Sequence, residues 1–265
     1  MGNNKSNVTF EIKVYENDWE YILKGNYLDK IIERCNYQFT NRILLINNVT
    51  NVEKVKKYAE KKVLNGVLDA YFLVEDYANE VLNYFGIQKD SFAGGYYYSI
   101  SELVSIYLCK TEFLLHFSSD SFLEDSNVNW IDSAIKIFNE RDDIVVANPA
   151  WNFAYEYAKK SSISEIDDFY IGYGFSDQCF LIKCIDFKKP IYNEYHIDSE
   201  RYPKYGGELF EKRVDSFMRN YNKLRITSKK VSYIHINFPK KINFLKKIYF
   251  KYFINRRLKK KINFK

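Results

Sequence analysis

Four side chains in this sequence stand where their neighbours do not account for them. In EFLLHFSSDSF an apolar run stops abruptly before Asp120, a carboxylate able to hold a hard divalent cation or simply to cap the next turn. In GYGFSDQCF, Asp177 lies with Ser176 and Gln178 beside Tyr173 and Phe175. That mix of polar and aromatic groups binds sugar hydroxyls, unless the polar groups satisfy their own loop. In GGELFEKR two glycines precede Glu208 near the head of a helix, where an acid gains from the helix dipole whatever else it does. His235, in KVSYIHI, lies on a short alternating strand that also suits a hydrogen-bonded core histidine.

The elements that must position these groups follow from hydrophobic period. VTFEIKV alternates as a strand does and runs into the polar turn YENDW. A helix from Trp19 to Cys35 leads to RILLI, a short apolar run stopped by Asn47 and Asn48, as in a buried parallel strand. The pattern repeats with a helix over Asn51 to Val63, a strand over Ala70 to Val74, and helices over Tyr77 to Phe85 and Ser99 to Cys109, and then EFLLHF. Alternation of this kind predicts an α/β domain with a mostly parallel sheet covered on both faces. Ligands of such sheets sit beyond the carboxyl ends of the strands, where YENDW, NNVTN and SSDSF gather. The second half reads as strand DDIVVANP, loop and strand GYGFSDQCFLI, helix ELFEKRVDSFMRNY and strand KVSYIHI.

With the motifs in that order, the chain resembles the GT-A glycosyltransferases of the family 2 type over residues 8 to 236. EFLLHFSSDSF is similar to their strand ending in Asp-x-Asp, with Ser118 in place of the first acid and Asp120 matching the second. GGELFEKR is similar to their Glu-Asp motif, with Glu208 at the base position, Leu209 replacing the second acid and Arg213 at the later arginine. His235 falls where metal-dependent members carry a late histidine ligand. The resemblance implies a single Rossmann-like GT-A domain and an inverting transfer from a nucleoside diphosphate sugar, UDP favoured, to a glycan or lipid-linked acceptor. It also implies Mn2+ or Mg2+ held by Asp120 and His235, with Glu208 as base. Donor contacts would come from Tyr15, Glu16, Asn17, Asn47, Tyr98, Ser118 and Asp120, while Asp177, read from its own loop, is a second catalytic candidate beside Glu208 and able to bind acceptor or sugar hydroxyls. Each group has a physical reason: a cation stabilises the charge on the departing diphosphate, and a carboxylate takes the proton of the attacking hydroxyl.

Composition sets the context. The net charge of +6 hides an asymmetry, because residues 237–265 hold eleven Lys or Arg and no acid, leaving a mildly acidic body. Within the tail, Ile242, Leu245, Ile248, Tyr249, Tyr252 and Phe253 share one broad helical face. The expectation is a basic amphipathic helix resting on an anionic membrane, with the protein peripheral on the cytoplasmic face. Two other functions compete. A nucleotidyltransferase would want a Gly-rich phosphate loop near the N-terminus, and none is visible. A nucleic-acid-binding protein working through the tail fits poorly with an acidic body, so no nucleic acid is expected. The four cysteines form no CxxC pair and read as reduced thiols of a cytoplasmic protein.

Overall fold

A computed structural model of the chain describes residues 7–124, 127–203, 207–236 and 238. In chain order its elements begin β1 (Val8–Val14), α1 (Trp19–Lys24), α2 (Tyr27–Arg34), β2 (Asn41–Ile46), α3 (Val52–Leu64), β3 (Ala70–Leu73), α4 (Val74–Phe85), α5 (Tyr96–Leu108) and β4 (Phe113–Phe117). They continue β5 (Ser121–Leu123), α6 (Trp130–Glu140), β6 (Ile144–Trp151), α7 (Tyr155–Lys160), β7 (Ser164–Ile166) and β8 (Phe169–Gly172). The chain then runs β9 (Cys179–Lys183), α8 (Cys184–Phe187), α9 (Phe210–Asn220) and β10 (Leu224–His235).

One mixed sheet runs in the order β3-β2-β1-β4-β9-β6-β10-β8-β7, with β5 paired to β10. The half that forms first in the sequence, β3-β2-β1-β4, is wholly parallel, and β6 also lies parallel to β10. This is the predicted α/β domain with parallel central strands; antiparallel β9 is inserted between β4 and β6. The order reverses at β1, whose successor in the chain lies on one side and β4 on the other, so a crevice opens beyond the carboxyl ends of β1 and β4.

Local chemistry sets the element ends. Asn51 caps α3 by accepting from the Lys54 amide, and α4 stops at Gly86, which takes the left-handed φ of 65°. The helix expected from Trp19 to Cys35 is broken into α1 and α2 around Gly25 and Asn26, a pair that favours a turn over continued helix. Helix α6 is an element beyond those expected from the sequence, and Trp130, Ile131, Ala134, Ile135 and Phe138 give it a clear buried stripe.

Each face of the sheet packs on its own apolar layer. Val8, Phe10, Ile12 and Val14 of β1 pack with α1, α2, α3 and α6, while α4, α5 and α9 cover the opposite face. Fully burying a ring such as Phe10 contributes about 1.5–3 kcal/mol. The other face of β1 is polar yet buried: Thr9 and Glu11 are enclosed, and Lys13 is nearly so. Their partners come from elsewhere in the chain. Thr9 bonds Thr111 at 2.7 Å, Ser105 of α5 donates to Glu11 at 3.0 Å, and Lys13 pairs with the buried Glu102 of α5. A buried ion of this kind is tolerated only when its partners are fixed.

Candidate active site

The cleft at the switch point encloses about 550 Å³. Three turns make its rim, and hydrogen bonds between them hold its shape. After β1, the Tyr15 amide donates to Asp18 at 2.8 Å, and Asp18 also accepts from Ser119 in the turn after β4. After β2, the Thr50 amide donates to Glu16 at 2.7 Å, and the Asn47 side chain donates to the Tyr97 carbonyl at 2.9 Å, tying that turn to the head of α5. Tyr97 and Tyr98 leave more than half their surface exposed on the same rim. A planar base can stack on such rings. Tyr15, Glu16, Asn17, Asn47, Tyr98, Ser118 and Asp120, the expected donor set, therefore all line one cleft.

Asp18 is the residue that sequence reasoning passed over. It is fully enclosed, and burial raises its carboxyl to about 7 against the hydrogen bond from Ser119. YENDW pointed to the turn, and an acid in position to cap it was the available signal.

At one part of the cleft, Asp120 Oδ2 and His235 Nε2 meet at 2.8 Å, and Ser118 Oγ donates to the other Asp120 oxygen at 3.2 Å. The Ile236 amide donates to the Asp120 carbonyl at 2.8 Å and the His235 amide to Asn152 at 3.1 Å, so the backbones of both are fixed. Burial lowers the imidazole's affinity for a proton, but the hydrogen bond and charge of Asp120, with Asp177 beyond it, outweigh burial and raise it. One carboxylate and one imidazole form a donor set that fits Mn2+ better than an all-oxygen ion. Among the described residues no group of three or more His, Cys, Asp and Glu could hold a metal.

Elsewhere on the wall stand Asp177 and Glu211. The loop bearing Asp177 is pinned by Tyr202, whose hydroxyl both accepts from the Phe175 amide and donates to its carbonyl, each at 2.8 Å. Glu211, in the first turn of α9, accepts from the Asp177 backbone; burial first, and then the charge of Asp177, push its carboxyl up to about 9. Asp177 is also raised by burial, with Lys13 opposing. Both acids stand on a partly desolvated wall, where burial is the largest cause of their raised affinity for a proton.

Glu208 and Arg213 lie elsewhere. Glu208 is not among the residues lining the cleft; its carboxylate pairs with Lys212 at 2.8 Å, toward solvent. Arg213 is buried behind the cleft wall, donating to the Tyr192 and Ser91 carbonyls at 2.7 and 2.8 Å with its guanidinium over the Phe92 ring. The reason is register. Helix α9 starts at Phe210, Leu209 turns into the cleft, and the acid that shares its side of the helix head is Glu211, three residues after Glu208.

No family model matches the sequence, and no curated protein matches it. Solved structures do. GalNAc-T7, crystallised with UDP, GalNAc and Mn2+, matches at 12% identity and TM-score 0.53 over 88% of this chain and 44% of that one. The chain thus spans less than half the length of that protein. The galactosyltransferase LgtC, in complex with donor and acceptor sugar analogs, matches at 12% identity and TM-score 0.45 over 79% of this chain and 70% of that one. A mouse xyloside xylosyltransferase in apo form matches at 10% identity and TM-score 0.47 over 83% and 84%. The first of these carries the fold: the chain has the GT-A architecture.

Proposed function

We propose that this chain is a glycosyltransferase of the family 2 type. On this reading it moves a sugar from a nucleoside diphosphate sugar, UDP favoured, to a hydroxyl of a glycan or lipid-linked glycan, with inversion, in cell-surface polysaccharide synthesis. The observation that carries the reading is the composition of the cleft. A hydrogen-bonded carboxylate and imidazole, Asp120 and His235, and two acids raised by burial, Asp177 and Glu211, line or adjoin one cavity at the switch point of the sheet. The GT-A architecture supports it, and a structure so built binding UDP and Mn2+ supports the choice of donor and ion.

In the proposed reaction the acceptor oxygen attacks the anomeric carbon, the carbon–oxygen bond to the diphosphate breaks, and its electrons leave with the diphosphate. The hydroxyl proton passes to Glu211, in place of Glu208, in the fraction of molecules whose Glu211 is ionised, a fraction that grows as pH climbs toward about 9. A divalent ion held by Asp120 and His235 would neutralise the charge growing on the departing diphosphate. Tyr15, Tyr97 and Tyr98 bound the nucleoside, and Asn47 and Glu16 hold the rim that presents them.

The basic tail, residues 237–265, is proposed to bring the enzyme to the cytoplasmic face of an anionic membrane, where a lipid-linked acceptor would lie. Apart from Phe238, whose ring stacks on Tyr21 at 4.5 Å, that segment lies outside the described residues. No helix among the described residues is long and apolar enough to cross a membrane.

Thermal unfolding with a panel of nucleotide sugars, each with and without Mn2+, tests the reading, because a ligand bound only by the folded state raises the midpoint. A UDP-sugar is expected to stabilise only with the ion. Stabilisation by no nucleotide sugar would end the proposal, and a product retaining the donor's anomeric configuration would end its inverting form.

A further inference from the structure

A second cavity, about 390 Å³, opens along β6 and β10. Gln178 lines both cavities, and His235, which lines the second, is bonded to Asp120 in the first, so the two adjoin. Its outer end carries Trp151 and Tyr157, 54% and 72% exposed. Its inner end carries Arg225. Trp151 lies opposite Tyr233 in the sheet register and Arg225 opposite Val146, so the two ends are separated by five residues of strand, about 16 Å.

The inner end is chemically incomplete. Among the described residues the enclosed Nε of Arg225 has no hydrogen-bond partner, and neither does the enclosed Oδ1 of Asn148, which lines the same cavity. Arg201 stands beside Arg225: a Cβ built on Gly174, φ +113°, would lie 2.8 Å from one guanidinium and 3.3 Å from the other. Arg201 is offset by Asp215 at 3.1 Å, whose charge also reaches Arg225, but no described carboxylate lies within salt-bridge distance of Arg225. A cation left unpaired on an enclosed wall is costly unless something charged comes to meet it. Guanidinium groups recognise carboxylate and phosphate with paired hydrogen bonds, and an aromatic ring suits the apolar face of a sugar.

We propose that this cavity is the acceptor subsite and that it selects an anionic glycan. A sugar stacks on Trp151 next to the cleft, and a carboxylate or phosphate further along the acceptor reaches Arg225, with a hydroxyl near Asn148. This rests on the glycosyltransferase reading and deepens it by naming the acceptor class. The acidic groups of the donor cleft keep the anion at the far end, so charge sets the direction in which the acceptor lies.

Binding without turnover tests it. Of the three tryptophans, Trp19 and Trp130 are buried at 5% and 2% exposure, so a ligand on Trp151 is read by intrinsic fluorescence. The probes are methyl glucuronide, glucose 6-phosphate, methyl glucoside and inorganic phosphate. One of the two charged sugars is expected to bind at least tenfold tighter than the neutral glycoside, and which of them does so separates carboxylate from phosphate. Arg225→Gln is expected to erase that preference, and Trp151→Phe to remove the signal while calorimetry still detects the ligand. Tyr157→Ala, a change on an exposed ring that leaves the fold alone, should weaken the charged sugar severalfold even if Arg225→Gln does not fold. Equal affinity for neutral and charged sugars, inorganic phosphate competing as well as either sugar, or full affinity in Tyr157→Ala together with Arg225→Gln would overturn the proposal. UDP titrated separately keeps the two readings apart. UDP binding without charged-sugar binding defeats this inference alone, and charged-sugar binding without any nucleotide binding defeats the donor reading alone.

Discussion

His235 Nε2 and Asp120 Oδ2 stand 2.8 Å apart, although 115 residues separate them in the chain. Strand β10 makes this possible: its register on β6 shifts between Thr227 and Ser232, its last residues also pair with β5, and His235 is delivered opposite Ser121, next to Asp120. Asp120→Ala removes the cleft's nearest carboxylate to His235, and its side chain is partly exposed, so the fold should survive. The expected outcome is loss of the Mn2+-dependent part of UDP stabilisation. At ligand concentrations a hundredfold above Kd that part is about 2.7 kcal/mol, read as a lost shift in thermal midpoint. An unchanged shift would take Asp120 out of ion binding.

Transfer should depend on Glu211 and not on Glu208. Glu211→Gln keeps the shape of the cleft wall and removes the proton acceptor, so kcat should fall by about two to four orders of magnitude with little change in donor affinity. Glu208→Gln, whose parent side chain pairs with Lys212 outside the cleft, should keep near-native turnover. The reverse pattern would return the base to Glu208, and loss of turnover in Asp177→Asn alone would assign it to Asp177.

The same carboxyl gives a stability prediction with a definite sign. Burial and Asp177 raise Glu211 from 4.5 to about 9. An acid whose folded pKa is raised stabilises the fold while protonated; the contribution is complete below 4.5 and is lost as pH climbs through about 9. Glu211→Gln should therefore unfold at a higher temperature than the parent at pH 9, by a few degrees for each kcal/mol recovered, about 2–4 °C. Thermal melts at pH 5 and pH 9 check this: a gain at pH 5 as large as at pH 9 would mean the carboxyl is not being forced to ionise in the folded state.

Gly207 has φ of 75°, and a Cβ placed there would lie 2.4 Å from the carbonyl oxygens of Phe92 and Ala93. The Glu208 amide donates to that same Phe92 carbonyl at 2.9 Å, so this contact sets the entry into α9 and with it the aim of Glu211. Gly207→Ala should lower stability by about 1–3 kcal/mol through backbone strain, measured as a shift in denaturant midpoint. It should also reduce turnover more than donor binding.

Removal of the segment after Pro239 should leave a folded catalytic body that no longer sediments with anionic liposomes. All eleven of the tail's positive charges are lost with it, each worth about 1 kcal/mol near such a surface at physiological salt. Equal sedimentation of full-length and shortened protein would contradict the membrane reading, and tight salt-sensitive RNA binding would replace it.

The sequence by itself determined the alternation of strands and helices, the apolar strand that ends before Asp120, and the gathering of three polar turns at one end of the sheet. Those are local or periodic properties, and hydrophobic period carries them without knowledge of distant partners. Only the tertiary structure decided what the polar half of VTFEIKV does. Alternation in β1 reads as one wet face, yet Thr9, Glu11 and Lys13 are covered by α5 and β4 and meet Thr111, His116 and Glu102 there, so the polar face runs inside the protein toward the cleft. Nor could spacing choose between Glu208 and Glu211, since three residues on a helix keep nearly the same face and the choice depends on where the first turn begins. That start is set by the Gly207 contact with Phe92, 115 residues earlier in the chain, and a long-range backbone contact leaves no periodic trace in the sequence.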